Sequence, residues 1–173
     1  MDEDITKFSI PEVKKKVIDI SLIVGSIVGS IAFILSLSSR IISDNFNYST
    51  IIDTFVILLL LMVTIKRASL ATEIKALVVI SLITFFSLSD AYFYGLFSSA
   101  RIYLILVPFF SIIFFSFRKT LVIFLMTIFS FLLIGYLHHS GILGLPKGYE
   151  PAVYVFRLYP WIINTVHICL VGL

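Results

Sequence analysis

The sequence predicts an all-α fold: a polytopic membrane bundle of six transmembrane helices with both termini in the cytoplasm. Three observations favour this class. The chain is 60% hydrophobic and 13% charged with a mean hydropathy of +1.11, far from the balance of a soluble domain. Several apolar runs approach the roughly 20 residues that a helix needs to cross a bilayer. Runs such as residues 55–65 do not alternate apolar and polar residues, so the spans are predicted to be helical rather than strands of a barrel.

The first sixteen residues are predicted to be a cytoplasmic amphipathic segment, and residues 17–173 to be the six-helix domain. Pro11 is placed to start a helix. The first span is predicted over residues 17–39, and its Gly25 and Gly29 belong to a small-residue strip of the kind that lets helices pack closely. Asp19 lies one helical turn beyond Lys15 and Lys16, so it is interpreted as an ion-pair partner at the membrane surface.

The second and third spans are predicted over residues 49–65 and 76–89. Asp53 lies one turn inside the second span, where a helix dipole favours an acid, and it is also a candidate for sensing a ligand. The third span is short, so the aromatic residues 92–94 are predicted to continue it into the headgroup layer. Gly95 then allows the chain to reverse.

The remaining spans are predicted over residues 102–117, residues 120–137, and from about Arg157 or Pro160 to Leu173. Pro108 removes one backbone hydrogen bond from the fourth span and is expected to kink it. Residues 138–156 form a long connection rich in Gly and Pro. Because the last apolar pattern has no polar flank, we expect a longer natural chain that continues into the cytoplasm.

Opposite charges flank the turn between the third and fourth spans. Asp90 closes one apolar run and Arg101 opens the next. Charged groups at membrane depth are expensive and usually pair, so the two are predicted to approach each other as a polar lock, with Asp53 or Arg157 as a further partner. The alternative is that both only mark helix ends at the headgroups.

The distribution of basic residues predicts the orientation. With six spans, one side of the membrane carries nine Lys and Arg and the other carries four, Arg40, Arg101, Lys147 and Arg157. Lys and Arg are retained in the cytoplasm, so both termini are predicted to face inside. Most of the polar loop chemistry is thereby predicted on the outer side.

Motifs of membrane enzymes are absent from the sequence. It contains no G-x-S-x-G elbow, no H-E-x-x-H pair and no P-loop, and its single cysteine, Cys169, excludes an internal disulfide. No catalytic residue, metal site or cofactor is therefore predicted within this segment, and no nucleic-acid partner. The candidates for sensing a ligand or signal are Asp53, Asp90, Tyr94, Arg101, His138 and Arg157. The candidates for helix packing are Gly25, Gly29 and Pro108.

The run GLFSSARIYLILVPFFSIIFFSFRKTLVIF resembles the N-terminal membrane regions of bacterial signalling proteins. Gly95, Leu96, Arg101 and Pro108 carry this resemblance. Such regions precede PAS, histidine kinase or diguanylate cyclase modules, so the resemblance implies two-component or related signalling with any enzymatic activity beyond Leu173. Neither a phosphoacceptor H-E-x-x-x-P box nor a nucleotide-binding box is present in this chain.

Two classes of function remain open at this point. The first is a sensory input domain of the bacterial inner membrane, a homodimer that relays an outer-side or bilayer stimulus through its last helix to a cytoplasmic output module. The second is a small multi-pass transporter or channel-like protein, or a non-catalytic accessory subunit. Paired broken helices would indicate a transporter, and the sequence shows no convincing internal repeat. A soluble signalling module downstream would favour the first class.

Overall fold

The computed structural model describes residues 9–42, 48–144 and 157–172. The sequence-based expectations for Lys147, and for residues 145–156 of the connection rich in Gly and Pro, fall outside these ranges. In chain order the helices are α1 (Ile10–Ile42), α2 (Tyr48–Ile65), α3 (Thr72–Tyr94), α4 (Ala100–Phe114), α5 (Phe117–His139) and α6 (Leu158–Gly172), with a 3₁₀ turn at Gly95–Phe97 between α3 and α4.

The protein is all-α over the part of the chain that the structure describes. Four helices, α1, α2, α3 and α5, are long and apolar enough to cross a membrane by length and composition, and α4 and α6 are shorter apolar helices of 15 residues. Large apolar side chains are exposed on the helices, as lipid contact requires. The predicted all-α class is thus confirmed, while the six spans and the N-in, C-in orientation stay predictions.

The helix boundaries differ from the predicted spans mainly by extension. α1 begins at Ile10, not near Val17. Residues 10–16 of the expected amphipathic segment are therefore the first turns of the same helix. Its beginning is capped locally, because the backbone N–H of Ser9 donates to Glu12 Oε2 at 3.1 Å. Hydropathy marks where the apolar stretch begins, whereas a cap and a compatible Pro11 decide where the helix begins.

Contacts between residues divide the chain into two compact units, Met1–Val79 and Ile80–Leu173. In the first unit α1 and α2 pack antiparallel. Ser26 Oγ and Thr64 Oγ1 share a hydrogen bond of 2.6 Å near the end of α2, and Arg40 Nη1 donates to Thr50 Oγ1 at 2.7 Å near its beginning. These two bonds fix the alignment of the helices.

In the second unit, α4, α5 and α6 pack against one another around an apolar core. The reversal after α3 is made at Gly95, whose φ of 59° is unfavourable for residues with a Cβ. The core also receives the end of α3 and the 3₁₀ turn. Its buried residues are Ala91, Leu96, Ala100, Leu104, Phe124, Ile128, Phe131, Trp161 and Ile168.

Candidate functional site

The contact between α5 and α6 is built around Trp161, the chain's single tryptophan. Phe131, Gly135 and His138 are four and three residues apart, so they lie on one face of α5. The indole of Trp161 lies over Gly135, with its ring centroid 5.0 Å from that of Phe131 and 5.6 Å from that of His138. The rings of Trp161 and His138 are nearly parallel, at 17°. We refer to Phe131, Gly135, His138 and Trp161 as the tryptophan slot.

His138 connects this slot to α3. Its side chain is fully buried, and Nε2 lies 3.3 Å from the backbone oxygen of Ala91. A carbonyl oxygen only accepts, so we assign the proton to Nε2 and leave Nδ1 as an acceptor. Nδ1 is buried and has no hydrogen-bond partner among the described residues. The imidazole therefore holds the ends of α3 and α5 together.

The turn between α3 and α4 is closed by Asp90. Its Oδ2 accepts a hydrogen bond of 3.1 Å from the backbone N–H of Ser99, the residue that precedes α4. The first N–H groups of a helix have no partner within the helix and carry partial positive charge. A carboxylate from the preceding helix therefore caps α4, which explains an acid at the end of an apolar run without a ligand.

Arg101, in the first turn of α4, reaches the last helix. Its Nη1 donates to Asn164 Oδ1 at 3.0 Å. Asn164 is held in turn, because its Nδ2 donates to the backbone oxygen of Pro160 at 2.7 Å. A polar link thus runs from the hairpin between α3 and α4 to the first half of α6.

Asp90 and Arg101 do not form the ion pair that the sequence predicted for them. Asp90 instead accepts a hydrogen bond from the backbone N–H of Ser99, and Arg101 donates one to Asn164. Tyr94 ends α3 at the turn, and Arg157 is exposed just before α6. Opposite charges flanking a turn favour proximity, but helix capping and an amide on a third helix compete for the same groups.

Asp53 belongs to the first unit and has a partner there. Its Oδ2 lies 2.9 Å from Arg40 Nη2, and the same guanidinium donates to Thr50. Arg40 lies in the last turn of α1 and Asp53 in the second turn of α2. This cluster joins the end of α1 to the beginning of α2. We predict that this end of the unit faces outward.

A second ion pair of the first unit is more deeply placed. Lys75 Nζ lies 2.5 Å from Asp19 Oδ1, with the Lys75 side chain 1% exposed and that of Asp19 26%. Sequence reasoning assigned Asp19 to Lys15 and Lys16 on its own helix, because spacing along one helix is visible in a sequence and a partner 56 residues away is not. The pair ties α1 to the beginning of α3.

Of the three packing candidates, Gly29 and Pro108 lie at close approaches between helices and Gly25 does not. A Cβ at Gly29 would be 3.1 Å from Ile57 Cδ1 of α2, whereas one at Gly25 would meet nothing within 4 Å. Pro108 is buried inside α4. Its ring lies against the end of α6, because a Cβ at Gly172 would be 3.0 Å from Pro108 Cγ.

Sequence reasoning did not single out Trp161, Gly135 or Lys75. Two signals pointed to the first two. Trp161 is a unique tryptophan beside a proline, and Gly135 interrupts an otherwise bulky span at helical spacing from Phe131 and His138. Nothing in the sequence distinguished Lys75 from the other basic residues of its loop.

The assembled site offers aromatic stacking and hydrogen bonding. Among the residues that the structure describes, no three His, Cys, Asp or Glu side chains are grouped so as to hold a metal ion. The contacts join α3, α4 and α5 to the first half of α6. These contacts connect the hairpin and the end of α5 directly to α6.

Comparison with known proteins identifies the family. The family model MASE11 matches residues 12–173, which include all six helices except the first two residues of α1. Searches of the curated proteins and of the solved structures found no match. MASE domains are membrane-associated sensory domains of signalling proteins. The match covers most of the sequence, and the chain therefore belongs to the MASE11 family of membrane-associated sensory domains.

Proposed function

We propose that this chain is the six-span input domain of a bacterial signalling protein, inserted in the inner membrane with both termini in the cytoplasm. A stimulus at its outer side or in the bilayer is relayed through α6 to a cytoplasmic output module beyond Leu173. The family membership supports the sensory role. The nine-to-four distribution of basic residues supports the orientation.

The observation that carries the relay is the hydrogen bond between Arg101 and Asn164. It joins the hairpin between α3 and α4, on the predicted outer side, to the helix that leads toward the output module. The tryptophan slot holds α6 against α5 one turn earlier. Because α6 also approaches Pro108 near its end, a change at the hairpin can shift or rotate the helix as a body.

The test is a double-mutant cycle on signalling output. In the full-length protein, in native membranes, Arg101→Ala and Asn164→Ala should each shift basal output activity. Since each change breaks the same bond, the double variant should resemble either single variant rather than their sum. Arg118→Ala is the control, because it removes an exposed arginine in the first turn of α5 and leaves the bond between Arg101 and Asn164 intact.

Two results would contradict the relay. Unchanged basal and stimulated output in both single variants, at normal expression, would leave Arg101 as a membrane anchor. Additive effects of the two changes would show that the bond does not transmit the signal.

A further inference from the structure

α1 presents two faces of different character. One face packs inside the first unit through Ile18, Leu22 and Ser26, which are buried. The opposite face carries exposed β-branched aliphatic residues at alternating spacings of three and four along the whole helix. We refer to these residues as the α1 stripe: Ile10, Val13, Val17, Ile20, Val24, Ile27, Ile31, Ile34 and Ile41. Ser38 fills the one remaining position of the pattern.

This spacing is the heptad repeat of a coiled-coil seam, with Ile or Val at nearly every a and d position. A straight α-helix drifts by about 20° per heptad from a strict period of 3.5 residues. A stripe that keeps the period of 3.5 residues over the 33 residues of α1 therefore favours supercoiling with a partner helix. Ile and Val are also stiff at χ1, so they lose little rotamer freedom when they pack.

Lipid cannot cover the first part of this stripe. α1 has 33 residues and is about 50 Å long, against about 30 Å of hydrocarbon. Thr64, one residue before the end of α2, contacts Ser26 and the backbone oxygen of Leu22. About 12 residues of α1, or about 18 Å, therefore extend beyond α2.

That extension carries the charges that keep it out of the hydrocarbon. Lys14, Lys15 and Lys16 lie between Val13 and Val17, and three consecutive lysines belong at or beyond the headgroups. Ile10, Val13 and Val17 are nevertheless exposed and apolar. An exposed apolar stripe that continues from the membrane into the adjoining layer is typical of an interaction site.

We infer that the α1 stripe is the interface with a second copy of this chain, whose α1 packs parallel to it. All copies insert with the same orientation, so identical helices meet in parallel. The flanking positions are compatible: Lys16 at g faces Ser21 at e of the partner, and Lys14 at e faces Ser9 at g. No like charges are directly opposed. Because β-branched residues occupy both a and d, the seam also accepts more than two copies.

α2 also carries an exposed apolar stripe, but its length and composition differ from those of the α1 stripe. Its exposed residues Ile51, Phe55, Leu58 and Met62 have the same spacing, but α2 has only 18 residues and is about 27 Å long, within the hydrocarbon. Its stripe mixes side-chain types and has no extension beyond lipid. The α2 surface is therefore the internal control for lipid contact.

Cysteine cross-linking in native membranes tests the interface, in a Cys169→Ser background that removes the native thiol. Ile20→Cys, Ile27→Cys and Ile34→Cys should each form disulfide-linked dimers on mild oxidation, because a parallel seam brings identical positions within reach. Leu58→Cys is the matched control: Leu58 is 61% exposed and Ile27 57%, and both lie near the middle of their helices. Equal cross-linking at Leu58, or none along the α1 stripe, would overturn the interface.

The part outside the hydrocarbon has its own test. Val13→Ser with Val17→Ser should reduce association at least tenfold, measured by single-molecule photobleaching of the labelled chain in nanodiscs, whereas Lys15→Ser should not. Unchanged association of the double variant would overturn the extended seam. The inference rests on the membrane insertion of α1 in the proposed function, and both tests read association rather than output. A failed relay and a failed interface can thus be told apart.

Discussion

Trp161 occupies the space above Gly135 so closely that a Cβ at position 135 would lie 2.6 Å from Cδ2 of the indole. Real Cβ atoms do not approach carbon atoms to this distance, so a larger residue must displace the ring. The ring is also held by Phe131 and His138. Gly135 therefore sets how α6 lies on α5.

Gly135→Ala should destabilise the protein by about 1 to 3 kcal/mol, the usual cost of overpacking. Thermal unfolding in detergent, followed by circular dichroism, measures this. Gly25→Ala is the matched control, because a Cβ at Gly25 meets nothing within 4 Å. Alanine is favoured over glycine in a helix by about 0.5 to 1 kcal/mol, so the control should be neutral or slightly stabilising. Equal stability of the two variants would show that the slot is not tight.

Asp19→Asn should be costly because it leaves the ammonium of Lys75 buried without its counter-charge. Breaking a buried pair from one side costs about 3 to 5 kcal/mol, and the partial exposure of Asp19 places the expectation at or below the lower end. Adding Lys75→Met should restore part of the loss, since the double variant has no uncompensated charge. Chemical or thermal unfolding of the three variants in detergent provides the comparison.

The control for this pair is Glu73→Gln, which neutralises an exposed acid in the first turn of the same helix. Its effect should stay within about 0.5 kcal/mol, as for other surface substitutions. If Asp19→Asn changed the stability as little as this control, the pair between Asp19 and Lys75 would not contribute to the stability of the fold.

Asp90→Ala should destabilise the protein more than Asp90→Asn. Asparagine keeps an oxygen that accepts from the N–H of Ser99 and loses only the favourable charge at the beginning of α4, worth about 0.3 to 1 kcal/mol. Alanine removes the acceptor as well, at a typical capping cost of about 1 kcal/mol. Unfolding midpoints in the order wild type, Asn, Ala are expected; the reverse order would argue against the cap.

Reporter fusions should place residues after Lys16, Lys75 and Lys119 in the cytoplasm, and fusions within residues 45–47 and 144–148 outside. The physical reason is the retention of Lys and Arg in the cytoplasm. Paired fusions to alkaline phosphatase and a fluorescent protein give opposite signals at each site. Reversed signals at two or more sites would contradict the orientation and relocate the hairpin of Asp90 and Arg101.

The sequence was sufficient to predict the helical class and the order of the apolar helices, because lipid imposes length and hydropathy on each span. It was insufficient for the partners of the polar groups. Asp19 has local lysines at helical spacing, yet its described partner is Lys75 on another helix. Arg101 has an acid across a short turn, yet it binds the amide of Asn164. Local spacing is visible in one sequence, whereas the choice between competing partners depends on how helices pack.

The same limit explains the tryptophan slot. A glycine in an apolar span is compatible with many neighbours, and the sequence does not say which helix fills the gap. Only the packed structure shows that Gly135 receives an indole and that Gly29 receives Ile57.

Trp161 stacks on His138, so its intrinsic fluorescence reports on the contact between α5 and α6. The emission of an indole depends on the groups that contact its ring, and for Trp161 these include the His138 imidazole. The emission of Trp161 therefore depends on its separation from His138, at the contact between α5 and the beginning of α6. A displacement of α6 would change that emission, so the movement could be followed without an attached dye in the purified segment of residues 1–173, which holds one tryptophan.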